Sequence, residues 1–486
     1  MERSVPKSIN YQDVLPLSVP AISRRRRFFP QNGTSFSYGG SNEIRIEIGS
    51  INSLLDTQHS YLEFEVVRAD PAGGAQSFGF DTGGGAIMFD TLRVEQGGRV
   101  LSEIQSYNRL NAAVLDPCQV SFNGKLTESL TQGQKGLQNF AGGVAGAIGP
   151  LVPNGTGNEY VNSIHNSDLQ IGQDQFMKFT MPIINGLFTQ DKLIPLPLVR
   201  QDAPITLVLS ITNPVNVGVW SAAPVANSLT IRKISYVAQL IEVGRDVLDQ
   251  IKQTQEIMGG QLAISGQDWE HTGGLIPAGT ANEFVVRLPT RKRSINSLFF
   301  ITHSSNYGRG AVGLAVDNVY NMSYSGSANI DTYQLKAGSV VYPPTPIKFF
   351  GSFVDPELER GEGIMELAKA FGTLGFVNPT GRLNTMTYGT DIVGMGDGDN
   401  GDGAANTLAP GSDEPTCFCP IGLDTTSFQH EAIEAGIDTQ TLSLESNLIL
   451  NIDAAGSGGE DKNVSMWVLF DQHYYFNNNG MVTYSN

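Results

Sequence analysis

The chain has 486 residues, a length at which two or three domains are expected. Its net charge of −17 excludes binding of nucleic acid or anionic lipid through the overall field of the protein. Charged residues make up only 16% of the sequence, and 55 glycines and 24 prolines supply many turns. This composition favours an all-β protein with many loops and with surfaces that face neighbouring subunits.

The cysteine content indicates the redox compartment of the protein, and the hydropathy pattern bears on membrane insertion and secretion. Cys118, Cys417 and Cys419 form neither a disulfide framework nor a zinc ribbon, which favours a reducing compartment. No apolar run approaches the roughly 20 residues needed to span a bilayer. The N-terminus has no apolar core ahead of its arginines, so we expect no signal peptide.

Residues 1–38 are predicted to be a basic, partly extended N-terminal arm. The segment contains four prolines and lacks a lasting periodicity, so we expect it to gain order only through contacts with neighbours. Its sharpest feature is a basic run followed by two aromatic residues: Arg24, Arg25, Arg26, Arg27, Phe28 and Phe29. We expect these six residues to contact another subunit, lipid headgroups or nucleic acid. The alternatives are a solvated tail, or arginines that pair with carboxylates of the same assembly.

Strands are predicted after the arm, and the most informative feature is a repeat. The segments NEIRIEI and INSLL begin at residues 42 and 51, and the similar segments NEFVVRL and INSLF begin at residues 282 and 295. Each first segment alternates apolar and polar residues, the period of a strand with one buried face. Two matches in the same order, at offsets of 240 and 244 residues, predict two similar β domains with equivalent first strands.

Two helices are predicted between the strand-rich regions. Residues 244–260 carry apolar side chains on one face and end at Gly259-Gly260, as expected of a helix that links two domains. A second helix is predicted from Pro356 to Phe371. The domain boundaries are therefore placed at 39–243 for the first β domain and 261–486 for the second.

Each half also contains one long irregular segment, at about residues 117–168 and 378–429. Segments this long and glycine-rich are expected at the outer or intersubunit end of a domain. Each half thus has about eight strands, one long loop and one helix. Eight antiparallel strands with Greek-key connections form a jelly roll, so the predicted fold is two tandem eight-stranded jelly rolls with long loops and short linker helices.

At this point the chain resembles the double jelly-roll major capsid proteins of tailless icosahedral viruses. This family includes adenovirus hexon and proteins of membrane-containing phages, algal giant viruses, virophages and Polinton-like viruses. The segments that carry the resemblance are Asn42 to Ile48, Leu54 to Asp56, Tyr61 to Phe64, Leu187 to Leu209 with Ile194 to Leu198 inside it, and Leu229 to Val243.

The resemblance implies a structural protein of the virion shell, with no enzymatic activity and no cofactor. It implies a homotrimer with a six-fold-like outline that packs beside neighbouring trimers into an icosahedral lattice. Further implied partners are minor capsid or penton proteins, an internal membrane or the genome reached through the N-terminal arm, and a host receptor reached through the loops. The protein would be made in the host cell without a signal peptide.

Two other functions are weighed against the capsid hypothesis. A secreted tandem-sandwich lectin or adhesin would use the same fold, because a fold does not determine function. The missing signal peptide and the basic arm disfavour it. A cupin-like enzyme would need clustered His and Glu on adjacent strands, and the six histidines are scattered.

Isolated motifs suggest little chemistry. The acidic segment from Asp397 to Gly403 resembles a calcium loop but has Gly401 at the third ligand position, so a solvated loop is the favoured interpretation. The Cys417-Phe418-Cys419 spacing is too close for an ordinary zinc half-site. We therefore predict neither a metal site nor a catalytic site.

Overall fold

The computed structural model describes residues 21–68, 78–79, 84–119, 176–214, 217, 219–220, 229–304, 322, 325–326, 328–349, 356–372, 383, 419–427, 436–440, 446–452, 457 and 461–485. Within these ranges the chain is almost entirely β, in antiparallel sheets.

The first half of the described chain forms a β-sandwich. One of its sheets has the strand order β1-β11-β4-β8, with β2 also paired to β11, and the facing sheet has the order β3-β9-β6-β7. A short pair, β5 and β10, stands apart from both. The strands are β1 (Ala21–Phe28), β2 (Ser35–Ser37), β3 (Glu43–Ile48), β4 (Ser53–Arg68), β5 (Phe78–Gly79), β6 (Phe89–Gln96), β7 (Arg99–Ile104), β8 (Phe176–Met181), β9 (Ile205–Ile211), β10 (Val219–Trp220) and β11 (Leu229–Val243).

The second half forms a second sandwich. Its sheets have the orders β12-β19-β14-β17, with β20 also paired to β19, and β13-β18-β15-β16. The strands are β12 (Gln261–Ile276), β13 (Asn282–Leu288), β14 (Ile295–Ser304), β15 (Ile330–Ala337), β16 (Val340–Lys348), β17 (Ile421–Asp424), β18 (Ser446–Ile452), β19 (Lys462–Asn477) and β20 (Val482–Ser485).

Helical segments lie between strands. Three consecutive stretches form α1: Tyr107–Arg109, Leu110–Leu115 with π-helical geometry, and Asp116–Gln119. Helix α2 (Arg245–Ile257) joins the two sandwiches, and α3 (Pro356–Ala370) lies between β16 and β17. Short 3₁₀ turns occur at Gly84–Met88 and Leu196–Leu198.

The two sandwiches have the same topology. Setting aside β2, β5, β10 and β20, the described part of each half has eight strands, which we number one to eight in chain order. In both halves one sheet then has the order 1-8-3-6 and the other has the order 2-7-4-5. This is the jelly-roll arrangement, and the predicted double jelly roll is confirmed.

The repeated segments occupy equivalent strands, but not the first ones. NEIRIEI forms β3 and NEFVVRL forms β13, each the second strand of its sandwich, and the INSLL and INSLF segments lead into the third strands β4 and β14. The first strands are β1 and β12, which precede the repeat. They were missed as a pair because β1 has no hydrophobic alternation, with seven of its eight residues exposed.

The structure therefore differs from the expectation of an arm over residues 1–38. Residues 21–28 pair antiparallel with β11 over their whole length, from Ala21 opposite Val243 to Phe28 opposite Tyr236. Backbone hydrogen bonds rather than side-chain burial hold this strand, so the side-chain pattern alone gave no sign of it. The first 20 residues lie outside the described ranges.

Antiparallel pairing fixes which connections share an end of each sandwich. Because consecutive strands of a jelly roll run in opposite directions, the connections that follow strands one, three, five and seven meet at one end. The predicted long segments, 117–168 and 378–429, fall mostly outside the described residues, but both belong to the connection after strand five. The structure also places β17 within the second of them, paired with β14. Helix α2 and the start of β1 lie at the opposite end.

The core of the first sandwich is built around a group of aromatic rings. Phe64 of β4 is 1% exposed and lies between Phe179 of β8, at a ring-centroid distance of 5.3 Å, and Phe89 of β6, at 5.2 Å. Since β4 and β6 belong to facing sheets, this side chain joins the two layers.

Replacing Phe64 with alanine should therefore reduce the free energy of unfolding by about 3–5 kcal/mol, the usual cost of deleting a buried aromatic side chain. Chemical denaturation followed by circular dichroism measures this loss. The control is Phe29→Ala, which removes a 59% exposed ring and should change the free energy by at most about 0.5 kcal/mol. Equal losses in the two variants would contradict this account of the core.

Candidate assembly surfaces

The predicted basic run lies on the open edge of the first sandwich. Arg24 forms an ion pair with Glu242 at 3.2 Å, and its side chain remains 62% exposed. Arg25 contacts the hydroxyl of Tyr61, and the Arg26 guanidinium lies 4.9 Å from the centre of the Phe28 ring. These arginines therefore contact their own sandwich, which agrees with the alternative of pairing inside the protein, yet much of their surface remains open.

The two phenylalanines that follow the arginines separate. Phe28 is 8% exposed and joins the hydrophobic core, whereas Phe29 is exposed. Phe28 is thus a core residue that anchors the C-terminal end of β1. Of the two rings, only that of Phe29 is available to a partner.

The arginines of β1 belong to the β1-β11-β4-β8 sheet, and the outer face of this sheet carries a row of paired charges. Arg27 donates to both carboxylate oxygens of Glu63, at 2.6 and 3.2 Å, and Lys178 approaches the same carboxylate at 3.0 Å. Glu65 accepts from Arg232 at 2.9 Å and from Lys233 at 3.1 Å. We call these seven residues the charge ladder: Arg25, Arg27, Glu63, Glu65, Lys178, Arg232 and Lys233.

The ladder holds its two carboxylates ionised. The hydrogen bond from Arg27 is the main cause that lowers the pKa of Glu63, and Lys178 adds to it. Burial alone would raise the pKa of Glu65, but the hydrogen bonds from Lys233 and Arg232 together outweigh it, so this pKa is also lowered. With five cations around two carboxylates, the face is basic although the whole chain is acidic.

A second surface is the seam, the contact between the two sandwiches inside one chain. A Cβ built on Gly266 of β12 would overlap the carbonyl oxygen of Gly186, and a Cβ on Gly186 would lie 2.7 Å from the hydroxyl of Tyr474. Only glycine permits this approach of two backbones. The seam is therefore set by backbone contact between the two halves.

A buried carboxylate lies beside the two glycines. Asp268 is 2% exposed and accepts hydrogen bonds from the Gly186 amide at 3.2 Å, the Trp269 amide at 3.0 Å and the Tyr474 hydroxyl at 3.3 Å. Burial raises the pKa of Asp268, and these hydrogen bonds oppose the rise. Nearby, the Gln472 side chain donates to the carbonyl of Leu101 in β7 at 3.1 Å, which ties the sandwiches again.

Two histidines and an arginine form another part of the seam. Arg109 of α1 contacts Nε2 of His303 in β14, so the first sandwich reaches the outer face of the second. His271 of β12 packs on Trp467 with ring centroids 5.2 Å apart, and its Nε2 is buried without a hydrogen-bond partner among the described residues. Burial, aided by the Arg109 charge, lowers the pKa of His271 to about 4, so this ring is neutral at pH 7.

A cavity of about 320 Å³ also lies along the seam, with β7 on one side and β12 on the other. Lys292 sits 3.9 Å from the centre of the Phe470 ring and forms an ion pair with Glu270 at 2.8 Å. Two of the charged residues that line the cavity, Lys292 and Glu270, are thus paired with each other, and we interpret the cavity as a gap in the packing of two domains.

The seam residues were missed by reasoning from the sequence. The partners of Asp268 lie 82 and 206 residues away, so no local spacing marks them. The best available signal was the glycines within the β12 segment, since a glycine inside a strand often marks a close backbone approach.

The isolated motifs lie mostly outside the residues that the structure describes. The acidic segment from Asp397 to Gly403 and Cys417 lie outside the described residues, and the Cys419 side chain is buried. Over the described ranges, no group of three or more His, Cys, Asp or Glu side chains is placed to hold a metal. Over the same ranges, no helix is long and apolar enough to cross a membrane.

Replacing Gly266 with alanine should open the seam, because the new methyl group would strike the Gly186 backbone rather than a flexible side chain. We expect faster amide hydrogen exchange in β7 and β12, together with a lower melting temperature. Gly273 lies in the same strand, where a Cβ would be 3.8 Å from its nearest neighbour, the carbonyl oxygen of Val464. Gly273→Ala is therefore the matched control, and similar exchange in both variants would refute a glycine-dependent seam.

Acid should weaken the seam through His271. Its folded pKa of about 4 lies below the ordinary 6.5, so on acidification the unfolded chain takes up the proton first. The contribution to stability is therefore present above pH 6.5 and is lost as the pH falls toward 4.

His271→Phe keeps an aromatic ring on Trp467 but cannot titrate. Between pH 7 and pH 4, the wild type should lose on the order of 2–3 kcal/mol relative to this variant in urea denaturation. His59, whose side chain is 74% exposed beside Asp56, provides the control variant His59→Gln, which should follow the wild type. Parallel pH profiles for the wild type and His271→Phe would show that His271 is not the acid-sensitive group.

Comparisons with known proteins were made at the levels of sequence and of structure. No protein-family model matches the sequence, and no curated protein matches it. The structure is similar to that of VP54 of PBCV-1, fitted into a reconstruction of the virophage Sputnik, with a TM-score of 0.59 at 10% identity over 98% of this chain and 99% of that one.

Two further solved structures agree. A chain of the Sputnik virophage structure gives a TM-score of 0.55 at 11% identity, over 100% of this chain and 92% of that chain. The Faustovirus major capsid protein gives 0.52 at 9% identity, over 95% and 91%. The resemblance read from the sequence is confirmed at the level of the fold, and the chain has the double jelly-roll fold of these viral capsid proteins.

Proposed function

We propose that this protein is the major capsid protein of a tailless icosahedral virus and that it builds the shell as a homotrimer. The observation that carries the proposal is the presence of two jelly rolls of identical strand order in one chain, joined by a close seam. The likeness to VP54 over nearly the full length of both chains supports it.

Duplication supplies the physical reason for a trimer. Three copies of a chain with two similar sandwiches present six similar units, which gives a six-fold-like outline suited to a hexagonal lattice. Closed symmetry repeats each contact, so modest interfaces suffice to hold a shell together. The role is structural, and the proposal includes no enzymatic activity.

The two ends of the molecule suit different neighbours. The long connections after strand five share one end, where a host receptor would be met. The other end carries the start of β1 and helix α2, where Ile257 is 85% exposed and Met258 is 63% exposed. As part of the proposal, this end and the exposed arginines face the interior of the virion, toward a lipid layer or the genome, and minor capsid or penton proteins meet the sides.

A secreted tandem-sandwich lectin was the alternative considered, and the comparisons do not support it. The matched structures are viral capsid proteins over essentially their whole length. The capsid function is therefore the one proposed.

The purified protein should form particles of about 157 kDa, three times the 52.3 kDa of one chain. Mass photometry measures this mass, and negative-stain electron microscopy should show hexagonal outlines that assemble into sheets or shells at higher concentration. A protein that remains monomeric at all concentrations, and binds glycans instead, would overturn the proposal in favour of the lectin.

A further inference from the structure

The seam is held at both ends of the molecule, but by different chemistry. Arg109 follows the fifth strand of the first sandwich and His303 lies near the end of the third strand of the second, so their contact belongs to the end that carries the long connections. Gln96 ends the fourth strand of the first sandwich and Gly480 follows the eighth strand of the second, so their contact belongs to the end that carries α2. We call these the histidine end and the amide end.

At the amide end, two buried glutamines hold the hairpin formed by β19 and β20. The Gln96 side chain donates to the carbonyl of Gly480 at 2.8 Å and accepts from the amide of Val482 at 2.5 Å. The Gln255 side chain, which comes from α2, donates to the carbonyl of Phe476 at 2.6 Å. Both glutamines are buried. Amide side chains do not ionise, so these hydrogen bonds persist in acid.

At the histidine end, the contact depends on an unprotonated ring. A guanidinium group has donors but no acceptor, so Arg109 must donate to Nε2 of His303, and this nitrogen must carry a lone pair rather than a proton. A proton on Nε2 would replace the acceptor by a donor and would bring two positive charges into contact. Protonation of His303 therefore removes the hydrogen bond and adds repulsion between the sandwiches.

A second histidine reinforces the same dependence. His271 lies on β12, on the other side of β19 from His303, and its ring packs on Trp467. Burial is the larger cause that lowers the pKa of His271 to about 4, and the positive charge of Arg109 adds to it. Arg109 thus reaches from the first sandwich toward two histidines of the second, and the closed seam favours the neutral form of each.

The other charged groups on the elements next to the histidine end are of both signs. Burial raises the pKa of Asp90, and the hydrogen bond from Asn108 and the charge of Arg109 oppose the rise. The charged residues with described side chains on these elements, besides Arg109, are Asp90, Asp116, Glu362, Glu366, Lys369, Asp424, Asp461, Lys462 and Asp471. Glu366 pairs with Lys369, and Asp424 lies opposite Ser297, at the other end of β14. Arg109 contacts the His303 ring directly, so its positive charge dominates the effect of protonation.

We propose that the seam is an acid-operated hinge, in which protonation of His303 breaks its contact with Arg109 and opens the histidine end while the glutamine contacts hold the amide end. Since the closed seam favours the neutral ring, it binds fewer protons than the open seam, and acidification shifts the equilibrium toward opening. The inference goes beyond the proposed function and does not depend on it, because it concerns a joint inside one chain.

The direction of the movement follows from the placement of the two ends. The amide end would serve as the pivot, and the sandwiches would separate where the long connections extend. Within the proposed capsid, acid would loosen the receptor-facing end of each subunit and would leave the end with α2 in place.

Hydrogen exchange followed by mass spectrometry tests the hinge on the whole purified protein at pH 7.5 and pH 4.5, with rates corrected for the intrinsic effect of pH. Peptides from α1 and from residues 298–304 should exchange at least tenfold faster at pH 4.5. Peptides from residues 476–482 should change by less than twofold. Equal acceleration at both ends, or at neither, would overturn the hinge.

Replacing His303 tests the group that takes up the proton. His303→Gln retains an oxygen that can accept from Arg109 but cannot be protonated in this range, so the acid-induced acceleration should disappear. His303→Lys is permanently charged and should show the open pattern already at pH 7.5; if it does not fold, His303→Gln decides alone. An unchanged acid response in His303→Gln would assign the effect to another group and would overturn the proposal.

The matched control is His473→Gln. His473 lies in the same sheet, but it contacts the Ser265 hydroxyl of its own sandwich at 2.8 Å through Nδ1. This variant should therefore follow the wild type at both pH values. Loss of the acid response in His473→Gln as well would show that the response does not belong to the Arg109 contact.

Gln96→Leu tests the pivot. Without the amide, peptides from residues 476–482 should exchange at least threefold faster at pH 7.5 and at pH 4.5 alike, because the lost contact does not titrate. If this variant does not fold, Gln255→Leu makes the same test from α2. An acceleration confined to pH 4.5 would mean that the amide end also responds to acid and would overturn the hinge. Particle mass and outline at pH 7.5 report on the capsid proposal separately, so the two can fail independently.

Discussion

An open β-sheet has two edges, and the unpaired backbone groups of those edges must be protected or used. The described residues form four large open sheets and one short strand pair, and the seam protects two of the edges by laying β7 beside β12. The geometry depends on the approach of Gly266 to Gly186, which no larger residue would permit. The relative placement of the two sandwiches, and hence the surfaces that they leave exposed, follows from this contact.

The seam is more polar than a domain core. Asp268 is buried among hydrogen-bond donors, and one ring nitrogen of His271 is buried with no hydrogen-bond partner in the part of the chain that the structure describes. A buried carboxylate whose pKa is raised contributes little net stability, because desolvation offsets what the hydrogen bonds gain. We interpret Asp268 and His271 as residues that fix the position of one sandwich relative to the other. Apolar packing, such as that of Phe64, supplies the stability of each sandwich. The same polarity leaves the seam sensitive to acid through His271.

The sequence was informative where one side of a strand is buried. The alternation in residues 42–48 and 282–288 predicted two β domains, and the structure shows β3 and β13 in equivalent positions. It was uninformative at β1, because a strand exposed on both faces has no hydrophobic period, and the run of arginines suggested an arm. Backbone pairing with β11, which is invisible in the side-chain pattern, determines that strand. The seam was equally hidden, since Asp268 meets Gly186 of the other sandwich and Tyr474 of its own, 82 and 206 residues away in the sequence. The basic run was recognised as a contact element from its charge, whereas its pairing with Glu63 and Glu242 depends on strands that are distant in sequence.

The most direct test of the whole account is a cryo-electron microscopy reconstruction of the purified, assembled protein. The account predicts a ring of three copies that contains six sandwiches of like topology. Particles without three-fold symmetry would contradict the capsid architecture itself.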